Sequence, residues 1–169
     1  SDFFILASNF GTPSGATLSY SYVELNPVVI VVPVTVEREI VLIRQFRYTI
    51  DEWVWEVPAG GSHDFTGDDL EALARRELRE EIGGEPETVT WMGVFNPMVG
   101  KADVDFHIYL ATGVTLGAAA PEPGEQIEIH RRPIAEALRM ARDGRIYSGA
   151  SGYALLRCEP ELQALAAGS

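Results

Sequence analysis

The sequence predicts a mixed α/β fold, arranged as one domain over residues 1–169. Three observations carry that expectation. The first third of the chain holds alternating and continuous β-branched runs, which are strand signatures. A segment near residues 68–83 places apolar residues at helical spacing. Beyond it, strand-like and helix-like stretches interleave, with no internal repeat and no linker to divide the chain. Of the 169 residues, 46% are hydrophobic and 22% charged, enough to bury a proper core.

The elements follow in order. Residues 17–25 (TLSYSYVEL) alternate after a Pro13-Ser14-Gly15 turn, so a strand is expected there, inside an amino-terminal strand region of about residues 1–27. Residues 28–36 (VVIVVPVTV) form an unbroken β-branched run, as in a strand buried on both faces. Pro33 within it lacks an N–H and belongs at a bulge or an unpaired edge. Glu37-Arg38-Glu39 turns the chain into residues 40–46, closing a hairpin. Trp53 to Val57 is a short strand, followed by a glycine-rich loop at 58–67 and then the helix. Strands are expected at 88–96, 104–112 and 126–131, with a loop at 117–124. Ile134, Ala137, Leu138 and Ala141 repeat at helical spacing, with Pro133 at N1 and Gly144 as the stop. A further helix runs from about Gly152 to Cys158 and ends before Glu159-Pro160. The Ala-rich tail, residues 159–169, is read as a frayed helix or disordered chain.

Charge narrows the function. The net charge of −12 would repel a phosphate backbone at long range, so no nucleic-acid partner is expected. One cysteine, Cys158, excludes an intrachain disulfide framework and a zinc cluster, and reads as a small buried residue. No run of about 18 apolar residues exists to span a membrane. FFILA, near the start, is too short for a signal peptide and has no basic residues before it. The expected location is the cytoplasm.

The helix poses a question. Leu70, Leu73, Ala74, Leu78 and Ile82 form its apolar stripe, and at about 100° per residue Glu77, Glu80 and Glu81 fall in an arc overlapping that stripe. Arg75 and Arg79 point away from it. A solvated, charged helix is the bland reading. Against it, Glu77 and Glu81 are like charges at i,i+4, which repel, and burying three carboxylates costs far more unless they protonate or bind a cation. Three hard oxygen ligands suit Mg²⁺ or Mn²⁺. Arg76, four residues before Glu80, can hold that carboxylate. Asp68 with Glu71 reads as an Asp variant of the capping box, and Gly83-Gly84 ends the helix.

From about Gly60 to Gly83 the chain resembles the signature box of the Nudix hydrolases, Gly-x5-Glu-x7-Arg-Glu-aliphatic-x-Glu-Glu-x-Gly. Arg76, Glu77, Leu78, Glu80, Glu81 and Gly83 match position by position. Asp68 stands where the first Glu would be. Strict spacing puts the opening Gly at Ser62, whereas the loop glycines are Gly60 and Gly61, and Gly84 replaces the usual bulky residue. The stretch RQFRYTIDEWVWEVPAGG (Arg44 to Gly61) is similar to the strand and loop before the box in the subgroup acting on ADP-ribose and other nucleoside diphosphate sugars. IAEALRMARDGRIYSGAS resembles its closing helix region, so the likeness covers roughly residues 20–155.

That resemblance implies a Nudix fold, a mixed sheet sandwiched between helices, and a homodimer in which amino-terminal strands reach across. It implies hydrolysis of a nucleotide sugar, ADP-ribose-like or GDP-mannose-like, to a nucleoside monophosphate and a sugar phosphate, with Mg²⁺ or Mn²⁺ as cofactor. By the same analogy the Ala59 carbonyl joins Glu77 and Glu81 around the metal, with Glu80 sharing it and Glu80 and Glu81 acting in catalysis. Arg44 and Arg47 would face the diphosphate or the partner's site, and Glu56 is a candidate ligand-shell residue. Gly60, Asp68, Arg76 and Gly83 are structural members of the box. A nucleoside triphosphate sanitiser and a non-catalytic sensing module are the alternatives.

One departure concerns the base. The subgroup carries a Ser-Asp-Glu-x-x-His-like string whose Glu acts as general base; here the stretch is GKADVDFHIYL. With His107 aligned, Val104 falls at the Glu position, and a valine cannot accept a proton. Asp103 is then the first candidate and Asp105 the second, with a box glutamate as the other reading. His107 itself reads as a residue packed between strands. Alternation places Asp105, His107 and Tyr109 on one face of that strand and Phe106, Ile108 and Leu110 on the core face. Trp53 and Trp55 read as core aromatics or as a platform for a base or sugar.

Overall fold

The computed structural model describes residues 4–61, 69–121 and 124–168. Among them are eleven strands and four helices. The first sheet joins β1 (Phe4–Gly11), β2 (Thr17–Glu24) and β9 (Ala102–Asp103). The second and larger sheet runs β11 (Ile127–Pro133), β4 (Glu39–Arg47), β3 (Val28–Thr35), β10 (Phe106–Leu116), β7 (Gly84–Glu85). On it, β5 (Glu52–Glu56) pairs with β4, β6 (Ala59–Gly61) with β3, and β8 (Thr88–Phe95) with β10. The β3–β10 pair is parallel and most others are antiparallel, so the sheet is mixed.

Both faces of this sheet are covered. Val29, Val31, Val41, Ile43, Tyr109 and Ala111 pack under α1 (Leu70–Ile82), against Leu73, Ala74, Leu78 and Ile82, which are all 0% exposed. Ile30, Val32, Val34, Ile40, Leu42, Ile108 and Leu110 face the other way. They pack against α2 (Ile134–Arg142), α3 (Gly149–Arg157) and α4 (Glu159–Ala167). The β-branched run in β3 thus feeds a core on each side, as expected of a strand buried on both faces.

Several elements depart from expectation. Within the expected amino-terminal strand region, β1 is not singled out by the sequence as an element of its own, and it pairs with β2 over eight positions, from Phe4↔Glu24 to Gly11↔Thr17. The tail is helical: α4 follows α3 across Cys158, with Pro160 in its first turn and Leu162 fully buried. Pro is tolerated there because first-turn N–H groups have no intrahelical acceptor. Pro133 caps α2 rather than sitting at N1. Beyond the Ala111↔Pro33 pair, β10 shifts register before Val114↔Thr35, so Pro33 does sit beside a bulge. Both faces of β10 are core, so Tyr109 is buried under α1 instead of looking outward. Among the described residues no helix is long and apolar enough to cross a membrane.

Leu78 fills the α1–sheet interface at 0% exposure. Leu78→Ala should destabilise the protein by about 2–5 kcal/mol, read as a lower urea midpoint at unchanged slope.

Candidate active site

Glu77 and Glu81 lie one turn apart on α1, near the face that packs on the sheet, and are 7% and 4% exposed. They are buried where α1 meets β6. The Ala59 N–H donates to Glu81 Oε2 at 3.3 Å. Gly60 passes so close to Glu77 that a Cβ on residue 60 would overlap the carboxylate. Any larger residue would have to push the Glu77 carboxylate aside. β6 is held in place by antiparallel pairing to β3, Ile30↔Ala59 and Val29↔Gly60.

The ends of α1 fix its register. Asp69 caps the helix, its Oδ1 accepting from the Glu71 and Ala72 N–H groups at 3.1 Å. The expected cap, Asp68, lies outside the described residues. Gly83 ends the helix in the left-handed region (φ 62°), as its sequence position suggested. A Cβ at Gly83 would also collide with the Gly117 carbonyl oxygen.

Burial sets the electrostatics. Glu81 is pushed well above the ordinary carboxylate value by desolvation first, then by the charges of Glu125 and Glu77; the Ala59 N–H and Arg47 pull the other way. Glu77 is also raised, chiefly by desolvation, although Arg76 Nη2 donates to its Oε1 at 3.1 Å. Glu80 sits at the rim, its side chain 41% exposed and 3.6 Å from Arg76 Nε. The three carboxylates therefore do not share one environment.

Two expected residues join them. Arg47 donates through Nε and Nη2 to Glu56, at 3.1 and 2.5 Å to Oε2, and Arg47 acts electrostatically on Glu81. Arg47, Glu56, Ala59 and Gly60 border a hollow of about 260 Å³, closed by Phe106 and by Ser148 and Ser151 at the start of α3.

Others lie elsewhere. Arg44 is on the opposite face of β4 from Arg47, over the rings of Trp53 and Trp55 at 5.7 and 5.9 Å and 3.8 Å from Glu128. Strand alternation is the cause, since residues three apart point to opposite faces. Trp55 packs on the core edge against His130, with ring centroids 4.8 Å apart. Asp103 belongs to β9, paired with Glu24 of β2, and lines a separate hollow with Tyr20, Tyr22 and Lys101. Asp103 and Asp105 are both exposed. β9 leaves the main sheet to pair with β2, which carries Asp103 away. His107 opposes Val29 and Val94, between strands.

Sequence reasoning missed Glu125, whose charge acts on both buried carboxylates. Its loop is strapped to the end of α1 by Gly117 N–H to Gly83 O (2.7 Å) and Ala120 N–H to Glu80 O (2.9 Å). On its far side, Phe46 N–H donates to Gln126 O at 3.3 Å. No periodic signal marks such a position. Its charge next to β11 was the only hint.

The donor set fits a hard divalent cation: buried carboxylate oxygens with raised proton affinity, beside a backbone turn that lacks a Cβ. Among the described residues, no three His, Cys, Asp or Glu side chains form a ready cation cage. Glu77 and Glu80 turn to Arg76, and Glu81 to Ala59 N–H.

A mixed sheet between helices, with this glutamate helix laid across a glycine turn, defines a hydrolase of the Nudix class. Residues 24–148 match the NUDIX domain family, and the chain belongs to that family. It is 32% identical over 144 residues to the CMP-5′-(N-acetyl-N-hydroxy-3-aminopropyl)phosphonate hydrolase of Streptomyces rubellomurinus, covering 85% of this chain and 69% of that one. It is 29% identical over 156 residues to an ADP-ribose pyrophosphatase of Bacillus subtilis, covering 90% and 83%. In fold it matches the crystal structure of an ADP compounds hydrolase with a TM-score of 0.84 at 18% identity, covering 96% of this chain and 88% of that one. Family members generally use divalent metals and act on small nucleotide substrates.

The raised carboxylates make stability depend on pH. Folded-state values above the unfolded ones mean the folded chain binds more protons between them, so the contribution of these two groups to stability is greatest at low pH and falls as pH rises through the raised values. In a chelator, Glu81→Gln should raise the melting temperature at about pH 8 and leave it unchanged near pH 4. Equal effects at both pH values would mean that repulsion and burial at Glu81 are not the source.

Proposed function

We propose that this Nudix hydrolase cleaves the diphosphate of a nucleoside diphosphate sugar, giving a nucleoside monophosphate and a sugar phosphate. The observation that carries the reading is the burial of Glu77 and Glu81 against the Ala59–Gly61 turn with Arg47 beside them. Glu77, Glu81 and the Ala59 carbonyl would hold Mg²⁺ or Mn²⁺, with Glu80 sharing it from the rim. When bound, such an ion supplies charge neutralisation at the phosphoryl oxygens and a more acidic water.

The chain's own groups do the rest. Arg47 is positioned to leave Glu56 for the phosphate oxygens, where a bidentate guanidinium neutralises charge on the departing phosphate. Water attacks one phosphorus as the bridging P–O bond breaks, and its proton must go to a nearby carboxylate. Glu125 is placed ahead of Asp103 and Asp105 as candidate, because its charge bears on both Glu77 and Glu81. Arg76 would steady Glu77 and Glu80. The hollow bordered by Arg47 and Phe106 is the space for one substrate half. A relative named for ADP-ribose and another named for a CMP-linked phosphonate support a nucleotide joined to a second group, over a triphosphate sanitiser.

We also infer a homodimer. β2 is scarcely buried, with Leu18 and Tyr20 49% and 44% exposed, and so small a sheet gains stability by packing on something further. Light scattering during size-exclusion chromatography should report twice the chain mass, and a monomer would refute this.

Turnover of ADP-ribose, GDP-mannose and nucleoside triphosphates, each with and without Mg²⁺ or Mn²⁺, tests the main reading. A nucleotide sugar should be preferred and activity should need the ion. Glu77→Gln and Glu81→Gln should each lose orders of magnitude in turnover while remaining folded. Near-full activity of both at saturating metal would overturn the assignment. Glu125→Gln should cost about 10²–10⁴-fold, and Asp103→Asn and Asp105→Asn under about tenfold; the reverse order restores the aspartates as base.

A further inference from the structure

β4 presents Ile43, Gln45 and Arg47 on the sheet face that α1 covers, opposite Glu56, Val54 and Glu52 of β5. Ile43 belongs to the core, and Arg47 opens on the site. Gln45 is the row between them. It is 4% exposed, and among the described residues its buried side-chain Oε1 has no hydrogen-bond partner. A buried carbonyl left in that state destabilises the folded chain, so such atoms are few in native proteins. Its cross-strand neighbours, Val54 and Ile127, carry no side-chain donor. Arg47 does, two residues along the same face and so about 6.6 Å away along the strand, within reach of a long side chain. With no ligand, Arg47 spends Nε and Nη2 on Glu56, and Nη1 takes no part in that pair.

We propose that Gln45 is a positioning residue for Arg47. When an anionic diphosphate draws the guanidinium from Glu56, Gln45 Oε1 accepts one of its N–H groups and aims the rest of the fork at the phosphate oxygens. A neutral amide suits this task, because a second carboxylate would compete with the phosphate for the same charge. The acceptor is unsatisfied in the free protein and satisfied in the complex, so its pairing adds to affinity. The inference rests on the reading above that Arg47 meets the diphosphate.

A double-mutant cycle tests it, with calorimetry of adenosine 5′-(α,β-methylene)diphosphate in Mg²⁺ as the readout, so that no turnover is needed. Gln45→Met should weaken binding about tenfold, as for a hydrogen bond to a charged group, without lowering the melting temperature of the free protein. In an Arg47→Met background the same change should alter affinity less than twofold. Gln45→Leu serves as the second apolar variant. Equal losses in both backgrounds, or unchanged affinity in Gln45→Met, would overturn the proposal while leaving the hydrolase reading intact. If neither apolar variant folds, Oε1 already has a partner in the free protein and the proposal fails. Wild-type protein that binds no diphosphate analogue would overturn this proposal and the assignment of Arg47 together.

Discussion

Two like-charged carboxylates, Glu77 and Glu81, are kept out of water where α1 crosses the Ala59–Gly61 strand, and the surroundings are arranged around that burial. On a free helix the pair would turn to solvent. Here the apolar stripe of Leu73, Ala74, Leu78 and Ile82 prevents it, because rotating α1 to expose the glutamates would also expose the stripe. Burying a leucine or isoleucine is worth about 1.5–3 kcal/mol, so three of them together outweigh the repulsion between two carboxylates. The core therefore holds the site's charges in place.

What remains is local accommodation. Gly60 gives Glu77 its room, Ala59 N–H and Arg76 supply donors, and Arg47 lowers the field at Glu81. None of these neutralises the cluster: both glutamates keep raised proton affinity. Buried carboxyls that hold their protons more tightly than usual are suited to exchanging them for a cation, since cation ligands must be deprotonated. Arg47 is paired to Glu56 rather than to the cluster. Glu56, 8% exposed, would otherwise be one more buried and unpaired carboxylate beside it.

The loop before β11 extends this design. Two backbone bonds to the last turn of α1 satisfy carbonyls that a helix end leaves unpaired, at Glu80 and Gly83. They also tie the segment that follows β10 to the end of the site helix. Gly83 serves both purposes, with its left-handed backbone ending α1 and its missing Cβ admitting Gly117.

The sequence by itself determined the local features. Period 3.6 in residues 70–82 marked α1, set Glu77 and Glu81 toward its core side, and Gly83 marked its end. The run at 28–36 marked a strand with core on both sides. Those signals lie within a few residues of one another, so backbone geometry alone converts them into structure. Only the tertiary structure decided which distant residues meet. Arg44 and Arg47 were alike as sequence, and strand parity separated them, but which parity faces the site depends on where α1 packs. Asp103 was placed by β9 pairing with β2, nearly eighty residues away, and Glu125 by a loop docked on α1. The register of β1 on β2, from Phe4↔Glu24 to Gly11↔Thr17, was likewise decided by pairing. Pairing across long loops is set by the whole core, and no local period encodes it.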